Sequence, residues 1–204
     1  MDLQGQVDAF GAAARWAADR VGAVPAAAWD GPGLGEWNMR ALVGHTSRAL
    51  LTVEQYLAKP CDSEDVEGAE GYYEAAAAMA SADPGAVRQR GVQAGAALGD
   101  DPAAAFREIA ERVVALLPGQ TDEVITTIVG GIRLSSYLPT RTFELVVHGL
   151  DICAAAGLAG DPPEVPQRVT LDLAISLAAR SGRGPAVVFA LTGRAPLPAG
   201  FSVV

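Results

Sequence analysis

Alanine-rich segments with helical spacing, cut apart by proline and glycine, set most of what this chain can become. Forty of its 204 residues are Ala, the best helix former. In residues 3–23, Val7, Phe10, Ala14, Ala17 and Val21 recur at three- and four-residue steps, which predicts an amphipathic helix that Pro25 stops. Residues 25–37, with Trp29, Pro32, three glycines and Trp37, read as a structured loop. Asn38 is a good N-cap for a second helix to about Leu57, on which Leu42, His45, Ala49 and Val53 share a face. The acidic stretch 59–68 reads as a mobile, solvated loop before a third helix near 69–81. Asp83-Pro84 and Asp101-Pro102 each join a capping side chain to a proline suited to a first helical turn, predicting helices to about Leu98 and Leu117. Six consecutive β-branched residues, Val124 to Val129, precede Gly130-Gly131 and suggest a short hairpin or an extended connection. A helix over about 135–156 follows, with Pro139 in its first turn, and Pro162-Pro163 separates a last helix at 164–181. The run Ala186 to Thr192 reads as a strand. The expected fold class is all-α: four main helices near 3–23, 38–58, 102–117 and 135–156, extra short helices, and a minor β element near the C-terminus. No linker or repeat divides the chain, so residues 1–204 read as a single domain with a C-terminal extension.

Composition excludes several function classes. Half the residues are apolar and 19% are charged, which suits a packed core and not disorder. The net charge is −9 with no basic run, a poor match for nucleic acid or an anionic membrane. No uncharged apolar stretch approaches the ~18 residues a bilayer span needs. Charges at Asp2, Asp8 and Arg15 argue against a signal peptide, and two cysteines make no disulfide framework, so a cytoplasmic protein is expected. The glycine-rich pieces at 31–35 and 182–184 lack a strand–loop–helix setting and do not read as nucleotide sites.

The chemistry concentrates on one helix face. The chain has two histidines, His45 and His148. Glu144 stands four residues before His148, a spacing that puts both on one side of a helix, and Arg141 and Asp151 extend the stripe. Their neighbours Phe143, Leu145, Val146, Val147, Leu150 and Ile152 are apolar, so the helix is expected to be largely buried, and buried polar groups must be paired or bound to metal. One reading is a mononuclear metal site with Glu144 and His148 from one helix and His45 from another. Two imidazoles and a carboxylate suit zinc and leave a fourth position open. Nickel or iron would also fit. Asp151 would accept a proton from an imidazole N–H and fix its tautomer, and Arg141 would pair with Glu144 or meet a substrate carboxylate. The competing reading is a salt-bridged helix face with a satisfied core histidine. Trp29 and Trp37 either line a pocket mouth or anchor their loop. Cys153 lies about 140° round the helix from His148 and reads as core. Cys61, in acidic surroundings, is a poor nucleophile.

Residues 35–48, Gly-Glu-Trp-Asn-Met-Arg-Ala-Leu-Val-Gly-His-Thr-Ser-Arg, resemble the motif opening the second helix of the mycothiol-dependent maleylpyruvate isomerase N-terminal family, within the DinB/YfiT-like metal-binding four-helix bundles. Residues 141–151, Arg-Thr-Phe-Glu-Leu-Val-Val-His-Gly-Leu-Asp, resemble its second motif. The tail from Ala190 to Phe201 resembles the ends of short relatives. The resemblance implies a zinc triad at His45, Glu144 and His148, with mycothiol as co-substrate. The founding isomerases carry a further C-terminal domain, whereas about 50 residues follow Asp151 here. Nothing in the chain singles out maleylpyruvate.

Three functions compete. The first is a thiol-dependent isomerase or S-transferase, in which a metal-bound thiolate attacks an electrophilic small molecule; Asp151 and Arg141 are then the candidate catalytic residues. The second is a zinc hydrolase with Asp151 as base. The third is a non-catalytic binding or regulatory module with a structural zinc, which Asp151 would close as a fourth ligand, or with none. The expected partners are a small-molecule thiol and an electrophile, and the chain is expected to be a monomer or homodimer.

Overall fold

The helices begin where capping side chains sit. In the computed structural model, which describes residues 1–82 and 84–204 (and the side chains of all but 80–82 and 84), α1 spans Leu3–Gly22 and α2 Met39–Leu57. They are followed by α3 Gly68–Ala82, α4 Pro84–Ala97 and α5 Pro102–Ala115. The hairpin β1 Val124–Thr127 and β2 Gly130–Arg133 leads into α6 Leu134–Ala156, α7 Glu164–Arg180 and α8 Gly184–Leu191. Asp2, Asn38 and Asp101 each accept a backbone N–H three residues on, at 2.9, 2.9 and 3.0 Å. The expected cap Asp83 lies outside the described residues. Arg133, which precedes α6, makes no side-chain cap. Asp122 does so from the other side of the hairpin, accepting from the backbone N–H and hydroxyl of Ser135, both at 2.8 Å. The helix starts at Leu134, one residue earlier than expected, and Pro139 lies inside it and not in its first turn.

The four expected helices α1, α2, α5 and α6 pack on one another around Phe10, Leu42, Leu50, Phe106, Leu138 and Leu145, all fully buried. Of the additional helices α8 is short, at 8 residues, whereas α3 and α4 have 15 and 14 against 14 in α5. The α4 helix lies on α2 at a glycine crossing, where a Cβ on Gly44 would stand 2.0 Å from the Gly95 nitrogen. The α3 and α7 helices lie against α6. On the side of α6 facing α1, Gly149 leaves room for Trp16, whose ring a Cβ there would meet at 2.2 Å.

The β signal resolves as a hairpin, Thr127 opposite Gly130, with the positive φ at Gly130. The acidic stretch keeps most of its side chains in solvent, as expected, but its backbone is pinned to the hairpin. Cys61 N–H donates to the Val124 carbonyl at 3.0 Å and Thr126 N–H to Lys59 at 2.8 Å. Asp65 accepts from Gly131 N–H at 2.8 Å. An edge strand offers unpaired backbone groups, and this loop occupies them. The expected C-terminal strand is instead α8. A strand needs a partner for its backbone groups, whereas a helix satisfies its own, and Pro185 sits in the first turn, where its missing N–H costs nothing.

Candidate metal centre

Helix geometry brings the predicted trio together. His45 comes from α2, and Glu144 and His148 from adjacent turns of α6. Their donor atoms all lie within 4.8 Å of one another, and among the described residues no other trio of His, Cys, Asp and Glu is so gathered. His148 Nε2 stands 3.2 Å from Glu144 Oε2, close to the ~3.3 Å between two ligands of a tetrahedral zinc ion. The two imidazole rings meet edge to face with centroids 4.9 Å apart. His148 Nδ1 points the other way, to Asp151 Oδ2 at 3.0 Å. Asp151 therefore stands behind the ring and orients it, as the spacing predicted.

The protonation states separate along this chain of groups. Burial, then the neighbouring His148, lowers the His45 pKa to about 4, so its imidazole is neutral at pH 7. Its Nδ1 is buried without a hydrogen-bond partner. Such an orphan costs ~1–3 kcal/mol, and a satisfied core histidine would not carry it. Burial alone would raise Glu144, but hydrogen bonding to His148, the charge of Arg141 and the Tyr73 hydroxyl hold it down at about 2. Burial alone would lower His148, yet Asp151 and Glu144 on its two nitrogens hold it up at about 9. Without an ion, then, an imidazolium bridges two carboxylates beside a neutral, unsatisfied imidazole. An ion between Glu144, His148 and His45 would take the place of that proton, and two imidazoles with a carboxylate at this spacing fit a divalent metal.

Two contacts were not readable from the sequence. Tyr73 of α3 donates its O–H to Glu144 Oε1 at 2.7 Å, with the Thr140 carbonyl 3.3 Å away. That fixes one carboxylate oxygen and leaves Oε2 toward His148. Burial and the Glu144 charge raise the Tyr73 pKa, so it stays a donor. Trp37 stacks on His45, centroids 4.5 Å apart and planes inclined 32°, and its Nε1 donates to the Arg88 carbonyl of α4 at 3.1 Å. Trp37 is thus more than a loop anchor, while Trp29 packs against the core. No local pattern announces either contact, since each depends on how a distant helix docks.

Arg141 departs from one of its expected roles. Among the described residues no carboxylate lies within 4 Å of it, so it does not pair with Glu144. Its guanidinium lies over the Tyr72 and Tyr137 rings, at 5.2 and 5.1 Å, and Nε donates to Thr140 Oγ1 at 3.0 Å. Cys153 is buried, and burial raises its pKa, as expected of a core thiol. His45, Glu144 and Arg141 all line a cavity of about 940 Å³, to which Asp151 does not contribute.

Among the described residues no helix is long and apolar enough to cross a membrane. No curated protein and no solved structure matches the chain. Residues 10–153, more than half of it, match the family described as the mycothiol maleylpyruvate isomerase N-terminal domain, and the match takes in both motif segments and the gathered trio. This chain therefore belongs to the mycothiol maleylpyruvate isomerase N-terminal domain family.

Proposed function

We propose that His45, Glu144 and His148 hold one divalent ion, zinc by their donor set, and that the chain uses it with a low-molecular-weight thiol, mycothiol by family, either to isomerise a small electrophile by adding to its activated double bond or to take up its carbon on sulfur as a leaving group departs. The observation that carries this reading is the His45 imidazole: neutral, buried, with an orphaned nitrogen, beside a carboxylate and a second imidazole at ligand spacing. A divalent metal there supplies a Lewis acid that keeps a thiol's sulfur deprotonated at neutral pH.

The chain's own residues do the rest. Asp151 accepts the Nδ1 proton of His148 and leaves Nε2 toward the centre. Tyr73 holds Glu144 by Oε1 and keeps Oε2 free. Trp37 packs the His45 ring against rotation. At about 940 Å³ the cavity is at the upper end of the ~300–1,000 Å³ usual for small-molecule sites, which supports a site for two reactants. The position of Asp151 behind His148 counts against it as a base for water and as a fourth ligand. Thiol chemistry at an open site is therefore favoured over a hydrolase or a structural zinc.

Titrating mycothiol into the cobalt(II)-substituted chain tests this. A sulfur-to-cobalt charge-transfer band should appear in the near ultraviolet, saturate, and be missing in His148→Ala. A metal-loaded chain that develops no such band overturns the thiol reading.

A further inference from the structure

Two arginines stand one turn from the trio, on the helices that carry it. Arg48 follows His45 by three residues on α2, and Arg141 precedes Glu144 by three on α6. Three residues of helix rise ~4.5 Å. Both arginines line the cavity that His45 and Glu144 line. Arg141 is only 9% exposed. Among the described residues neither has a carboxylate within 4 Å, whereas Arg88, Arg112, Arg133, Arg168 and Arg180 each have one. The tyrosine faces and the Thr140 hydroxyl that hold Arg141 in place supply no negative charge. Glu144 is engaged by His148 and Tyr73. The charge of Glu144 acts on Arg141 from beyond ion-pair distance, so the buried guanidinium faces the cavity with no carboxylate paired to it, a costly arrangement in a chain of net charge −9. Elsewhere the lining is mixed: Glu74 and Arg180 pair with each other, Arg90 and Ser181 are polar, and an apolar path runs between them. Val87 of α4 and Leu177 of α7 are apolar, and Met79 of α3 and Ile128 of the hairpin tip, 50% and 58% exposed, mark the mouth.

We propose that this cavity binds an amphipathic monocarboxylate, its head between Arg48 and Arg141 about one helical turn from the trio, its apolar body running past Leu177 and Val87 to Met79 and Ile128. As the identity of the electrophile this rests on the reaction proposed above; as a binding site it does not. The head lies off the metal ligands, so the reacting carbon is the one a few bonds from the carboxylate. A small dicarboxylate would leave the apolar walls wet.

Isothermal titration of the zinc-loaded full chain with octanoate, octan-1-ol and acetate is the test. Octanoate should bind at least about tenfold more tightly than either of the others, ~1.4 kcal/mol. Arg141→Gln and Arg48→Gln should each lose at least about tenfold for octanoate and nothing for octan-1-ol. Where Arg141→Gln does not fold, judged by circular dichroism, the half-buried Arg48 carries the test alone. Octanoate and octan-1-ol binding alike, or arginine variants that bind octanoate as the parent does, overturn the proposal. The chelated, metal-free chain separates the two readings. Octanoate retained there through the arginines supports the site even if the chain takes no metal. Octanoate lost on chelation puts the carboxylate on the metal, which overturns this site and leaves the metal centre standing.

Discussion

Replacing Gly44 by Ala perturbs the fold next to the site. An added Cβ would stand 2.0 Å from the Gly95 nitrogen, 2.4 Å from its Cα and 2.6 Å from the Ala94 carbonyl carbon, where ordinary contact begins near 3.4 Å. These are backbone atoms, so no rotamer relieves them, and α4 must move off α2 by about 1.4 Å. Overpacking of this kind costs ~1–3 kcal/mol, and here the upper end applies. Alanine returns ~1 kcal/mol of helix propensity. The net is a loss of ~2 kcal/mol, or ~4–8 °C in Tm for a chain of this size. Moving α4 also carries away the Arg88 carbonyl that anchors Trp37 on His45. Gly11→Ala is the control. Its Cβ would meet only Arg15 Nη1 and Nη2 at 3.4 and 3.5 Å and Val114 Cγ1 at 3.6 Å, so propensity wins and Tm rises by a few degrees. Thermal unfolding followed by circular dichroism reads both. A Gly44→Ala variant melting at or above the parent would refute the close crossing of α2 and α4, and with it the placement of His45.

Tyr73→Phe should fold, lose ~1.5–3 kcal/mol for the buried bond to Glu144, and bind zinc ~10–100-fold more weakly; urea unfolding and calorimetric zinc titration measure the two. The metal-free chain should lose stability as pH rises. His148 has its folded pKa raised from 6.5 to about 9, so its contribution is complete below pH 6.5 and gone above pH 9. A urea midpoint that falls over that interval in the parent and stays level in His148→Gln is the expected result. Asp122→Ala removes the distant cap of α6 and should cost about 1 kcal/mol in the same assay.

The parts of this molecule legible in the sequence are those fixed by local geometry. Glu144, His148 and Asp151 share a face because a helix puts them there, whatever surrounds it. The Asn38 and Asp101 caps act within three residues and were readable for the same reason. Joining His45 to them was only one of two readings until the family motifs favoured it, because two helices must first dock. Tyr73 reaches Glu144 across 71 positions, and only the seating of α3 on α6 decides that contact. The acidic stretch is solvated in its side chains, as composition suggested, but composition says nothing of its backbone, which takes the free strand edge. Val187 and Val188 suggested a strand, but strand propensity has no effect without a neighbouring strand, and α8 formed instead.

Metal content per chain, by elemental analysis of protein purified without a polyhistidine tag, tests the central claim most directly. The account predicts close to one zinc equivalent in the parent and little in Glu144→Ala and His148→Ala. A parent that holds no metal after zinc is supplied and the excess washed away, or a His148→Ala variant that keeps a full equivalent, would contradict it.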